Sequence, residues 1–399
     1  MVRMVGTTAR GLRTPIINQG DDIIEIVVDT VLKAAEAEGF AVKDRDVVSV
    51  TESVVARAQG NYATVDAIAA DVRQKFGGGT LGLVFPILSR NRFAICLRGI
   101  ARGADRVVLM LSYPADEVGN HLLSLDDLDS QGINPWTDVL TEQQFFDKFG
   151  DRKHSFTGVD YVKYYKSLIE ETGAQCEIIF GNDPRVMLQH TKKVLACDIH
   201  TRHRTKRILQ ECGAEAVYGL DDLLHEAESG GYNEDFGLLG SNKATEESVK
   251  LFPRNAQAVV DGIKSRLFEL TGKRVEVMVY GDGAFKDPSG NIWELADPVV
   301  SPAFTAGLQG VPNEVKIKYL ADNNYAHLRG DALTQAIARH IREKAGDLTG
   351  SMEAQGTTPR RLTDLIGSLS DLTSGSGDKG TPVVYIQGYF DSYAEQEIE

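Results

Sequence analysis

Cysteine is scarce and scattered. Four occur in 399 residues, Cys96, Cys176, Cys197 and Cys212, with no CxxC pair. That excludes a disulfide frame and fits reduced thiols in a cytoplasmic protein. Long apolar runs are lacking too. None reaches the ~18 residues of a membrane-crossing helix, so no membrane partner is expected. The first residues, MVRMVGTTARGLRTPII, lack the apolar core of a signal peptide. Basic charge is in deficit, with 43 Lys and Arg against 57 Asp and Glu and a net charge of −14. Such a surface argues against nucleic-acid binding, which needs phosphate neutralisation. It permits a local basic pocket for a phosphorylated small molecule. No GxxxxGK(S/T) occurs, so there is no P-loop. No Ser/His/Asp or Cys/His nucleophile set assembles.

What is present is an ordinary globular composition, 42% hydrophobic and 25% charged, in a chain long enough for two or three domains at ~100–200 residues each. The most informative stretch runs from Thr271 to Gly310. An apolar strand, Val275 to Val279, enters Gly281-Asp282-Gly283, and a Gly- and Pro-rich loop follows with Lys286, Asp287, Glu294 and Asp297. Carboxylates where a buried strand opens into a loop place hard oxygen ligands at the edge of a core, as needed to hold Mg²⁺ or Mn²⁺ against a phosphate. The same residues also make an ordinary surface turn.

Along the chain, residues 1–80 read as strand, helix, strand, helix, with Asp21 and Asp22 at the start of a helix running to about Glu38. Residues 81–235 alternate apolar strands (Arg106 to Ser112, Cys176 to Phe180, Val194 to Ile199, Glu215 to Tyr218) with helices (Asn91 to Arg102, Tyr161 to Glu171, Thr201 to Cys212). That alternation predicts an inserted parallel α/β domain of Rossmann-like character. The segment carries no GxGxxG, so nothing marks it as dinucleotide-binding. From 236 onward the pattern predicts helices at Asn255 to Leu270, Asp331 to Ala345 and Thr363 to Leu372. A late strand at Pro382 to Gln387 follows.

Two segments have phosphate-binding chemistry. Gly11-Leu12-Arg13-Thr14-Pro15 follows the first strand, and its backbone N–H groups and guanidinium suit a phosphate; a plain connection fits equally. In Thr51-Glu52-Ser53-Val54-Val55-Ala56-Arg57, Ser53 and Arg57 share one face of a helical turn and suit a phosphate together. An N-cap Ser beside a solvated Arg is the alternative. Asn242, in GLLGSN, offers an amide to a ligand or tolerates a left-handed turn. Cys197, His200 and His203 have metal-ligating chemistry but lack a fourth partner. The basic helix that follows, with Arg202, Arg204, Lys206 and Arg207, is a solvated face or a contact for an anion.

Taken in order, GLRTPIINQGDDI, VSVTESVVARAQG, GLLGSNKATEESVKLFP, LTGKRVEVMVYGDG and GDKGTPVVYIQG resemble the F(420)-0:L-glutamate ligases, the γ-glutamyl ligases of the deazaflavin coenzyme. The resemblance covers residues 5–65 and 235–390, and 81–235 looks like the insertion of a longer bacterial form. It implies an α+β fold with a core of residues 1–80 and 236–399, a homodimer, and GTP-dependent amide ligation using Mg²⁺ or Mn²⁺. L-glutamate would be joined to a carboxylate acceptor such as F(420)-0 or a folate-like molecule. By the resemblance Gly11, Leu12, Arg13 and Thr14 lie along the nucleotide. Glu52 and Ser53 stand at a Ser-Thr nucleotide contact, Arg57 replaces a phosphate-binding Lys, Asn242 contacts nucleotide and Asp282 binds metal. Arg57 and Lys286 are the expected phosphate clamps, and Asp287 and Glu294 the expected supplementary ligands. Two departures stand out. Leu239 occupies the place of a second metal-binding Asp, and Gly283 that of a Thr. A non-catalytic nucleotide- or ligand-binding protein on the same scaffold is the alternative they raise.

Overall fold

The computed structural model describes residues 4–155, 157–226, 230–281, 284–286, 293–295, 301–354, 361–374 and 378–395, without the side chains of 284–286, 293–295 and 395. Two sheets dominate the described residues. The first has five strands in the order Thr8–Leu12, Val383–Gln387, Val47–Thr51, Glu276–Tyr280, Ala303–Phe304. Its central pair, Val47–Thr51 and Glu276–Tyr280, is parallel, with Thr51 opposite Tyr280; the other pairings are antiparallel.

Alternation along these strands explains the layering. Val48, Val50, Val277 and Val279 face a cluster with Val27, Val28 and Val31 of the helix Ile23–Glu38 and Val260, Ile263 and Leu267 of the helix Ala256–Thr271. Val47, Met278, Tyr280, Val384 and Ile386 point the other way, onto Ile366 of the helix Leu362–Ser374. Period-two patterning with both faces apolar is what a sheet covered on both sides requires. Asp22 caps the first helix as expected, its carboxylate accepting from the N–H groups of Ile24 and Glu25 at 3.0 and 3.1 Å.

The second sheet has six strands, all between Thr80 and Gly219, in the order Leu140–Thr141, Gln175–Phe180, Arg106–Leu111, Thr80–Val84, Lys193–Ala196, Ala216–Gly219. All neighbours are parallel except the first pair. The chain order reverses between Thr80–Val84 and Lys193–Ala196. Leu81, Leu83, Val107 and Leu109 pack on one face with the helices Val65–Phe76, Ala94–Arg102 and Tyr161–Glu170. Val84, Val108, Met110 and Val194 pack on the other, with Leu209 of the helix Arg202–Glu211. This core takes in residues before 81 (Ile68, Val72) and after 235 (Leu239, Leu251). The mixed sheets fit the α+β class read from the sequence.

A small ribbon joins the two layers: Asn242–Thr245 pairs with Ser248–Lys250, which pairs with Tyr62–Thr64. Element ends differ from expectation in one informative place. The strand expected to reach Ile199 stops at Ala196. Beyond it Asp198 folds back to accept from the hydroxyls of Thr201 and Thr205 at 2.6 and 2.7 Å, which turns the chain into the next helix. The first turn expected for the helix at Asn91 to Arg102 is a separate loop, and the helix begins at Ala94.

Candidate functional site

A cavity of about 1040 Å³ opens where the two layers meet. Its floor is built by the parallel central pair of the five-stranded sheet. Thr51, Glu52 and Ser53 line it from the end of one strand and Tyr280 and Gly281 from the end of the other. Carboxyl ends of adjacent parallel strands leave a crevice that connecting loops fill with functional groups. Here the first connection goes directly into the helix Glu52–Gln59, whose N-cap, Thr51, makes no side-chain capping bond. The N–H groups of its first turn carry the positive end of the helix dipole.

Ser53 is the second residue of that helix, not its cap, and Arg57 lies one turn on; both line the cavity. The Arg57 guanidinium donates through Nε to the carbonyl of Ile17, which fixes its base and leaves its two terminal nitrogens for a ligand. Arg57 makes no ion pair among the described residues. Thr14 lines the opposite edge, its N–H 3.3 Å from the Gly380 carbonyl. Asn242 enters from the ribbon, directly across from Lys250. These four expected nucleotide contacts, with Glu52, come from three distant segments and meet in one space.

The remaining expected residues are placed differently. Gly11 and Leu12 lie within the strand Thr8–Leu12 and do not line the cavity. Leu12 is in the core. A Cβ at Gly11 would meet the Thr381 side chain at 3.1 Å, so this glycine lets the edge strand approach Thr381, which does line the cavity. Arg13 reaches the Lys379 carbonyl at 3.4 Å. Asp282, Asp287 and Asp297 lie outside the described residues. Lys286 and Glu294 lie in a two-stranded hairpin, Ala284–Lys286 with Trp293–Leu295, whose side chains also lie outside them. Leu239 is 1% exposed and packs in the core of the second layer, so it cannot be a ligand. Among the described residues no group of three or more His, Cys, Asp or Glu side chains could hold a metal.

Sequence reasoning missed Lys250. Its ammonium donates to the Ser53 hydroxyl and sits 3.5 Å from Glu52. Both ends of that ion pair are nearly buried, with 12% and 7% of their side chains exposed. The signal was the alternation Ser248-Val249-Lys250: Val249 is in the core, so Lys250 must face the other way. Sequence reasoning also missed the wall given by the second layer. The loop after Val84 contributes Ile87 to Arg92, and Asn120, Thr157 and Tyr161 join it. That loop is held firmly. Asp116 accepts from the N–H groups of Leu88, Val118 and Asn120 at 2.7, 3.1 and 2.8 Å, and burial raises its pKa above the usual carboxylate range despite those donors. The Tyr165 hydroxyl donates to the Ile87 carbonyl at 2.7 Å and accepts from the Ser89 N–H at 2.8 Å.

Charge is concentrated in this space. Arg57, Arg90, Arg92, Lys243 and Lys250 line the cavity against Glu52 and Asp371, in a chain whose net charge is −14. A cationic pocket in an acidic protein selects anions locally. The basic helix Arg202–Glu211 plays no part. Arg202 pairs with Asp221 at 2.8 Å, Lys206 with Asp222 at 2.8 Å and Arg207 with Glu211 at 2.9 Å. Ahead of this helix, Glu117 accepts from the N–H groups of Ile199, His200 and Thr201.

A family model described as F(420)-0:gamma-glutamyl ligase matches residues 11–388. Comparison with curated proteins gave no match.

Proposed function

The chain belongs to the F(420)-0:gamma-glutamyl ligase family, a family of ligases that add glutamate, and on that premise we propose GTP-dependent amide ligation in the cavity between the two layers. The observation that carries this is the meeting of Thr14, Ser53, Arg57 and Asn242 with Lys250 in one cationic space. The reaction runs in two steps. An oxygen of the acceptor carboxylate attacks the γ-phosphorus of GTP; GDP leaves and an acyl phosphate forms. The α-amino nitrogen of L-glutamate then attacks the acyl carbon, the amide forms and inorganic phosphate leaves.

Catalysis of phosphoryl transfer is mainly positioning and charge neutralisation. Arg57 suits this role because its planar fork reaches two phosphate oxygens. The uncapped first turn of the helix Glu52–Gln59 adds N–H donors for a phosphate. Lys250 holds Ser53 in place and pairs with Glu52 beside it. A divalent ion, Mg²⁺ or Mn²⁺, supplies neutralisation of the transferred phosphoryl group when bound. Asp282, the proposed ligand, follows Gly281, which lines the cavity, and a carboxylate there is a hard oxygen donor of the kind such an ion takes. Asp287 and Glu294 are proposed to complete the set, and Lys286 to assist with phosphate. A homodimer and a cytoplasmic setting belong to the same proposal. No described helix is long and apolar enough to cross a membrane.

Phosphate release from GTP that requires both L-glutamate and an acceptor, with F(420)-0 and a folate as the acceptors supplied, is the expected result. Release that is indifferent to glutamate sinks the ligase reading. Leu239 in the core favours a second reading, a nucleotide-binding protein without turnover. Tight GTP binding unaffected by Mg²⁺ or Mn²⁺, with no product, is its signature.

A further inference from the structure

In an open sheet whose strand order reverses, ligands bind outside the carboxyl ends of the strands at the reversal. In the six-stranded layer that point lies between Thr80–Val84 and Lys193–Ala196. One half of the crevice is closed by the chain itself, because Glu117 takes the N–H groups of Ile199, His200 and Thr201. The other half is the loop after Val84, and Ile87 to Arg92 of that loop line the cavity. The open half of this crevice and the cavity are one space.

Arg90 stands at the exposed turn of that loop, directly after the backbone pinned by Asp116 and Tyr165. Among the described residues it makes no ion pair or hydrogen bond. Its charge is felt by Tyr161, whose hydroxyl pKa burial raises and Arg90 pulls back. The five-stranded layer offers Arg57 to the cavity, held only through its Nε on the Ile17 carbonyl. One guanidinium from each layer suits two different anions, and the nucleotide phosphates account for Arg57.

We propose that the wall formed by Arg90, Asn91 and Asn120 is the acceptor subsite, with Arg90 as a specificity-determining residue that holds an anionic group of a carboxylate-bearing acceptor. This rests on the ligase reading. The acceptor it implies carries both polar and apolar parts, since Asn91, Asn120 and Thr157 accompany the guanidinium alongside Ile87, Leu88 and Val118. Arg90 uses its fork of N–H donors, which an ammonium cannot reproduce.

The test is equilibrium dialysis of F(420)-0 and of a folate against the full chain and its Arg90→Gln and Arg90→Lys variants, with GTP binding measured by calorimetry on the same samples. Arg90→Gln is expected to weaken acceptor binding roughly tenfold or more and Arg90→Lys less, with GTP affinity within about twofold of the parent. Unchanged acceptor affinity in Arg90→Gln overturns the proposal. So does GTP affinity falling in step with acceptor affinity, which assigns Arg90 to the nucleotide. A parent chain that binds GTP but neither acceptor overturns it as well and leaves the nucleotide reading intact. A parent chain that binds an acceptor through Arg90 but no GTP supports the subsite and removes the nucleotide reading. Arg90 is exposed, so an unchanged melting temperature in Arg90→Gln is expected and separates binding from folding.

Discussion

The two layers use the same geometric device and finish it in opposite ways. In each, a parallel strand ends and the chain turns into a helix whose N-cap makes no side-chain capping bond. In the five-stranded layer that turn is immediate, and Thr51 to Ser53 open on the cavity. In the six-stranded layer a longer turn precedes the helix, and Glu117 takes its N–H groups at Ile199 to Thr201. The difference shows that the turn after a strand can serve a cavity in one layer and be closed by a carboxylate of the same chain in the other.

The largest expected disturbance to this contrast is Lys250→Met. It strips the partner from a nearly buried carboxylate, which typically costs about 3 kcal/mol or more, so both the melting temperature and the ligase rate should fall. A variant that melts with the parent would show that Glu52 does not depend on Lys250. Arg57→Ala should leave the fold intact but lower kcat/KM for GTP roughly thirtyfold, about 2 kcal/mol of charge-assisted hydrogen bonding. A change in acceptor KM alone would place Arg57 on the wrong ligand. Glu117→Gln tests the closed turn: losing its charge-assisted hydrogen bonds to the N–H groups of Ile199, His200 and Thr201 should cost about 1 kcal/mol in denaturant unfolding, with GTP turnover unaltered. Loss of turnover with an unchanged unfolding midpoint would mean the closed turn takes part in the reaction.

The smallest effect is a pH dependence. Burial raises the Asp198 pKa from 3.8 to about 6, with Glu117 adding to it. The folded state then binds a proton more readily than the unfolded one, so this group favours folding most below pH 3.8. That contribution declines as the pH rises toward 6. Asp198→Asn, which mimics the protonated form, should therefore gain stability over the parent as pH rises from about 4 to about 6, then level off. A flat difference across that range would remove the assignment.

Much of the first layer was legible because its signals are local. The β-branched run before Thr51, the Ser53–Arg57 spacing and the Asp22 cap each depend on residues a few places apart. The cavity's other half was not legible, because nothing in Ser89-Arg90-Asn91-Arg92 announces that it faces Ser53. Lys250 meets Ser53 across 197 positions, and only its place in an alternating strand hinted at the direction it takes. The strand expected to run to Ile199 was misjudged for a related reason. Its apolar residues continue the pattern, but the carboxylate of Asp198 finds two hydroxyls in the next turn and ends the extended backbone early.

The ribbon that joins the layers has a kinetic meaning. Tyr62–Thr64 and Ser248–Lys250 pair across nearly half the chain, so the contacts made inside that long loop must offset the entropy of closing it. We predict that the pairing which seats Lys250 beside Glu52 forms together with the second layer and not ahead of it. A chain stalled before that step would lack a finished cavity, and nucleotide added during refolding should trap the completed state without speeding the collapse that precedes it.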